Sequence, residues 1–157
     1  MQTVVGPNVG EQAPEFKLKG PGGQAISLSE YLGRKNVVLV FFPLAFSPVC
    51  SHQLPAIEKE MARFRDLNAE VLGISVDSHF SNEAFAERLR LSFPLLSDFR
   101  HVASKAYGVF DENALYSGRA VFVVDKQGRI AYKDVSADVR QVPSNEALFE
   151  ALARLPG

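Results

Sequence analysis

Residues 37–50 read VVLVFFPLAFSPVC, and this stretch decides the fold. Val37 to Phe42 is an unbroken run of β-branched and aromatic residues, the length and composition of a strand buried on both faces. Pro43 bounds it, because proline cannot donate to a sheet ladder. Further on, Ser47 precedes Pro48 in the arrangement of a helix N-cap and first helical position, and IEKEMARF from Ile57 carries apolar and charged residues at helical spacing. On that reading Cys50 is the third residue of the first turn, where backbone N–H groups are unpaired and the helix dipole is positive. Such a position favours a thiolate. Cys50 is the only cysteine of the chain. A lone cysteine is commonly a buried small apolar residue. A strand end, a short loop and a helix start together form the usual place for a site in βαβ proteins, so the thiol reads as reactive.

Working outward, Phe16 and Leu18 alternate with Lys17 and Lys19 as in a half-buried strand, and Gly20-Pro21-Gly22-Gly23 turns the chain into a second strand at Ala25 to Leu28. The first dozen residues of the chain, which contain Gly and Pro, read as irregular. Ser29 is predicted to cap a short helical turn, Glu30 to Leu32, ended by Gly33. After Cys50, Leu54, Ile57, Met61 and Phe64 fall three and four apart, the spacing of one buried helix face. Pro55 predicts a kink there, with the first turn as a separate, mobile piece.

Residues 71–76, VLGISV, read as a second buried strand, followed by a helix from about Asn82 to Leu91. A short strand at Leu95 and Leu96 precedes a helix from His101 to Tyr107 that Gly108 closes. AVFVVD, from Ala120, is a third apolar strand, joined by Lys126-Gln127-Gly128 to the alternating strand RIAYKDV. Ser144 then caps a last helix with Leu148, Phe149 and Leu152 inward. The class is α/β, and the order ββ-βα-βα-βα-ββ-α resembles a thioredoxin-like fold with an N-terminal β-hairpin extension. At 157 residues and 46% hydrophobic content, residues 1–157 read as a single domain.

Seventeen basic and 18 acidic residues give a net charge of −1 without any like-charged block, which argues against nucleic-acid binding. The longest apolar stretch, Val37 to Phe46, is far short of the roughly 20 residues of a membrane-spanning helix. MQTVVGPNVGEQAPEF lacks a charged region followed by an apolar one, so the cytoplasm is the default location. One cysteine excludes an intrachain disulfide and suits a reducing compartment.

Pro43, Ser47 and Cys50 spell P-x-x-x-S-x-x-C, which is similar to the peroxidatic-cysteine motif of the peroxiredoxins. FFPLAFSPVC resembles the AhpE-type, one-cysteine branch, as do FPLLSD at Phe93 to Asp98, AYGVFDE at Ala106 to Glu112 and GRAVFVVD at Gly118 to Asp125. The similarity runs from about Val9 to Leu155. It implies a thiol-dependent peroxidase in which Cys50 attacks a peroxide oxygen and becomes a sulfenic acid. It also implies that Pro43 shields the thiolate, that the Ser47 hydroxyl positions the peroxide and that Arg119 reaches cysteine and peroxide. Gln53 takes a place where the family supports the site arginine or the loop. The helix-start N–H groups of Val49 and Cys50 are candidate donors to the substrate oxygen. With no second cysteine, an external thiol or a glutaredoxin- or thioredoxin-like reductant must resolve the intermediate. The resemblance extends to hydrogen peroxide, organic hydroperoxides and peroxynitrite as substrates and to a homodimer.

Neither cofactor nor metal is expected. His79 and His101 lack ligand spacing to each other or to Cys50, and His52, two residues from Cys50, does not face it on a helix. A thioredoxin-like disulfide exchanger would need C-x-x-C, where this chain has Ser47. A glutathione-peroxidase-like enzyme would use a Trp, and the chain has none. The remaining alternative is a non-catalytic redox sensor or binding module of the same fold.

Overall fold

The computed structural model describes residues 6–156. At its centre β3 (Asn36–Phe41) is buried at every position, as the apolar run from Val37 requires, with the polar Asn36 buried at its start. It pairs in parallel with β4 (Ala69–Ser75) and antiparallel with β8 (Ala120–Val124). With β1 (Lys17–Lys19), β2 (Ala25–Ser27), β5 (Leu95–Ser97) and β9 (Ile130–Val135), these strands form one seven-stranded sheet of order β2-β1-β5-β4-β3-β8-β9.

The two-residue period of β3 divides the core in two. Val38 and Val40, continued by Phe42, join Cys50, Leu54, Ile57, Met61 and Phe64 on one face. Val37, Leu39 and Phe41 join Phe16, Leu18, Tyr107 and Phe122 on the other. Each such side chain, fully buried, contributes about 1.5–3 kcal/mol relative to exposure, so both faces hold the central strand in place. Opposite Val40 stands Gly73, where an added Cβ would come 2.5 Å from Leu95 Cδ2 and 3.4 Å from Phe42, so only glycine fits without repacking.

Helices α1 (Cys50–Glu58) and α2 (Met61–Asp66) carry the predicted apolar face, with Leu54, Ile57, Met61 and Phe64 all buried. The interruption falls at Lys59 and Glu60, not at Pro55, and α1 runs through its proline without a break. Glu60 leaves helical geometry at φ −106° and donates to the Ile57 carbonyl in a tight turn. That turn lets both short helices keep their apolar residues on the sheet.

Helix α3 (His79–Leu89) begins three residues before the predicted Asn82, because Ser78 Oγ accepts the Ser81 N–H. Asn82 is consequently turned into the interior. Helices α4 (Val102–Ala106) and α5 (Asn145–Ala153) lie within the predicted segments, and Ser144 Oγ accepts the Ala147 N–H at the start of α5. The early helical turn spans Leu28–Glu30, ahead of the predicted position, since Glu30 reaches back to accept the Ser27 N–H at 2.8 Å. A two-stranded ribbon of β6 (Phe110–Asp111) and β7 (Tyr116–Ser117) escapes sequence reading, because two residues show no periodicity.

Before β1, residues 6–16 run without helix or strand apart from one antiparallel bridge, Gln12 to Arg129. The expectation of irregular chain at residues 1–5 lies outside the described residues. None of the described helices is long and apolar enough to cross a membrane.

Candidate active site

The ladder of β3 continues one residue beyond the strand, where Phe42 N donates to the Ile74 carbonyl and the Phe42 carbonyl accepts Ser117 Oγ. Pro43, buried, then takes the chain out of the sheet. In the loop that follows, Phe46 has a left-handed φ of 67°, uncommon for a bulky side chain, and its half-exposed ring lies 4.9 Å from that of Phe85.

Ser47 is not a side-chain N-cap. Its Oγ donates back to the Leu44 carbonyl at 2.8 Å. The residue before α1 is Val49, with helical angles, and Cys50 is the first residue of α1 instead of its third helical position. The hydrogen-bonded turn nevertheless springs from Ser47, whose carbonyl accepts Ser51 N at 3.0 Å and Ser51 Oγ at 2.8 Å. Among the described residues, no chain acceptor faces the N–H groups of Val49 and Cys50. These are the orphan donors of a helix start.

Arg119 lies against Cys50 because of sheet register. In the antiparallel β3–β8 pair Phe41 is opposite Ala120, so the residue before Ala120 emerges at the end of β3 from which the chain turns towards Cys50. Arg119 is 2% exposed and Cys50 fully buried. The guanidinium is divided among three partners. Nη2 donates to Cys50 Sγ at 3.2 Å, Nη1 to Gln53 Oε1, and Nε to the Val139 carbonyl at 2.6 Å. Gln53, one turn beyond Cys50 on α1, is itself 2% exposed. A buried cation is strongly unfavourable without an anion or full hydrogen bonding. Among the described residues, none of the ion pairs involves Arg119.

The structure thus brings Cys50, Gln53 and Arg119 into one contact and places Pro43, Ser47 and Val49 in the connecting loop. Sequence reading missed the Val139 carbonyl, since a backbone acceptor in an irregular segment leaves no side-chain signature. The histidines stand apart. His52 is exposed, His79 pairs with Glu83 at 2.9 Å, and His101 stacks on Phe110 at 4.4 Å. Among the described residues, no group of three or more His, Cys, Asp or Glu side chains is arranged to hold a metal ion.

An α/β sheet with a buried thiol at a helix start and a buried guanidinium against it defines a thiol-based redox protein of thioredoxin-like fold. The model of the AhpC/TSA family matches residues 9–133. Alkyl hydroperoxide reductase E of Mycobacterium tuberculosis is 40% identical over 150 residues, covering 94% of this chain and 97% of that protein. The chloroplastic 2-Cys peroxiredoxin BAS1 of Spinacia oleracea is 36% identical over 140 residues, 83% of this chain but 53% of the longer relative. Among solved structures, AhpC of Enterococcus faecalis superposes with a TM-score of 0.86 at 27% identity, covering 94% of this chain and 91% of that one. The chain belongs to the AhpC/TSA family, within the one-cysteine, AhpE-type peroxiredoxins, and is a thiol-dependent peroxidase.

Proposed function

We propose that Cys50 is the peroxidatic nucleophile and that Arg119, Ser47 and the helix-start N–H groups act on the peroxide. The observation that carries this reading is the Arg119 guanidinium, buried with two neutral oxygens and one sulfur as its partners. Of these, only the sulfur can become an anion, and as a thiolate it balances the cation.

The thiolate attacks one oxygen of the hydroperoxide. An S–O bond forms as the O–O bond breaks, and the other oxygen departs as alcohol or water after taking up a proton. Negative charge grows on that oxygen, where an Arg119 N–H and the free Val49 and Cys50 N–H groups supply donors. Ser47 enters as an acceptor: its hydroxyl proton goes to the Leu44 carbonyl, which leaves lone pairs for the peroxide O–H. Gln53 holds the guanidinium in place, and Pro43, buried beside the site, keeps water from the thiolate.

The sulfenic acid left on Cys50 condenses with an external thiol to a mixed disulfide and water, and a second thiol releases the reduced enzyme. The donor is a low-molecular-weight thiol or a glutaredoxin- or thioredoxin-like protein, because the chain has no second cysteine. Hydrogen peroxide, organic hydroperoxides and peroxynitrite are the proposed oxidants. Exposed Leu44 and Phe46 in the active-site loop favour alkyl substituents, in keeping with the name of the alkyl hydroperoxide reductase relative. Residues 1–157 act as one domain in this reading. A homodimer, for which exposed Phe80, Phe99, Val102 and Leu115 offer apolar surface, and a cytoplasmic location, which suits a free thiol, complete it.

The test is stopped-flow mixing of reduced protein with one equivalent of peroxide, following thiol loss and intact mass. The wild type gains one oxygen at Cys50 orders of magnitude faster than a free thiol, and Cys50→Ser gains none. A wild-type rate equal to that of free cysteine would leave the chain without this activity.

A further inference from the structure

Among the described residues, the loop 43–48, which carries Pro43 and Ser47 and leads into α1, makes one hydrogen bond to a distant part of the chain. Ala45 N donates to Asp77 Oδ2 at 2.8 Å. Among the described residues, no other hydrogen bond joins residues 43–48 to any part of the chain beyond the loop and the first turn of α1. Asp77 is itself held from several sides. Its Oδ2 also lies 2.8 Å from Ser75 Oγ, its N–H donates to the same hydroxyl, and its carbonyl accepts Ser97 Oγ at 2.7 Å. Ser75 Oγ is 3.1 Å from Asn82 Oδ1, and Asn82 Nδ2 donates to the Leu96 carbonyl.

Ser75 is 1% exposed and Asn82 fully buried. Polar side chains sunk this deep are tolerated only when hydrogen-bonded, and a satisfied polar network specifies one geometry where an apolar contact would allow several. This network starts on β5, passes through α3 and the end of β4, and terminates on the active-site loop. Phe46, next to Ala45, is meanwhile kept in its left-handed conformation. An unsupported loop would relax away from that backbone geometry.

We propose that Asp77 is a positioning residue for peroxide reduction, its carboxylate fixing the loop so that the Ser47 hydroxyl and the free N–H groups before and at Cys50 converge on the substrate. This rests on the peroxidase reading above. Asp77 acts through Ala45, and what it requires is an acceptor oxygen. Displacement of catalytic groups by about 1 Å can cost about 100-fold in rate, so a single anchoring bond is enough to matter.

The experiment compares Asp77→Ala and Asp77→Asn in two reactions of Cys50. Oxidation by hydrogen peroxide needs the positioned loop, and alkylation by iodoacetamide needs only an accessible thiolate. Asp77→Ala oxidises about 10- to 100-fold more slowly than wild type while its alkylation changes far less. Asp77→Asn, which keeps an amide oxygen for the Ala45 N–H, recovers most of the peroxide rate. In the wild type, the Ala45 amide is protected from hydrogen exchange, a readout that stands even where Asp77→Ala does not fold. Wild-type oxidation rates in Asp77→Ala, equal slowing of both reactions, an Asn variant as slow as Ala, or an unprotected Ala45 amide would each overturn the proposal. A slow wild-type reaction with peroxide would instead strike the peroxidase reading, and Ala45 exchange would still report whether Asp77 holds the loop.

Discussion

Arg119 Nη2 donates to Cys50 Sγ at 3.2 Å across 69 residues of sequence, and both side chains are sealed from solvent. Among the described residues no carboxylate pairs with the guanidinium, so its removal bears on both the sulfur and the amide of Gln53. Arg119→Ala slows oxidation of Cys50 by about 100- to 1,000-fold, the range for losing one fixed donor to a developing oxyanion. It also lowers stability by about 1–3 kcal/mol, because Gln53 Oε1 is left buried without its donor. Arg119→Lys does not restore the rate, since one ammonium cannot span sulfur, amide and the Val139 carbonyl together. Stopped-flow oxidation and urea unfolding measure the two effects.

Ser47→Ala separates capping from chemistry. Loss of a true side-chain N-cap costs about 1 kcal/mol. Here the Ser47 carbonyl, not the hydroxyl, accepts the first helical N–H, so the change stays within about 0.5 kcal/mol. The peroxide rate falls all the same, because the acceptor for the substrate O–H is lost. A stability loss typical of a cap, with an unchanged rate, would reverse this assignment.

Asp138 and Arg140 flank Val139, whose carbonyl receives Arg119 Nε. Hydrogen bonds from the Arg140 side chain and backbone, with a smaller contribution from its charge, bring Asp138 down to about 2 from the ordinary carboxylate range. A depressed carboxyl stabilises the folded state above the unfolded value of about 3.9, and that contribution disappears as pH falls through about 2. NMR titration of the Asp138 carboxyl therefore shows no transition near the ordinary value in the wild type. In Arg140→Ala the midpoint moves up towards that value.

Tyr107 responds in the opposite direction. Burial, reinforced by the charge of Glu15, raises its phenol well above the usual range, while its hydroxyl donates to the Pro14 carbonyl at 2.7 Å. A raised phenol contributes stability that is complete below the unfolded value of about 10 and is lost as pH rises above it. Alkaline unfolding is accordingly steeper in the wild type than in Tyr107→Phe. At neutral pH that variant is less stable by about 1 kcal/mol, the worth of one hydrogen bond. Absorbance of phenolate against pH, with circular dichroism, follows both.

The Pro55 expectation shows where local reading stops. A proline inside a helical pattern removes one backbone donor and predicts a kink at that residue. Yet α1 is one continuous helix across Pro55, and the interruption between the two helices falls at Lys59 and Glu60. What decides the place is the sheet beneath, which requires Leu54, Ile57, Met61 and Phe64 to face it together. Ser47 offers a similar lesson. Ser-Pro before a helix is a capping signal, but the Leu44 carbonyl competes successfully for the hydroxyl.

By itself the sequence determined the buried central strand, its end at Pro43, the apolar faces of the helices and the β8–β9 hairpin. Each of these follows from sterics and hydrophobic spacing among residues close along the chain. Its short motifs also singled out Cys50, Ser47 and Arg119 through their likeness to a family. The tertiary structure alone decided that Arg119 divides its donors between Cys50, Gln53 and Val139, and that Asp77 holds Ala45. Those contacts join residues 20 to 69 positions apart. They exist only once the antiparallel register of β3 and β8 and the parallel register of β3 and β4 bring the ends of the strands together.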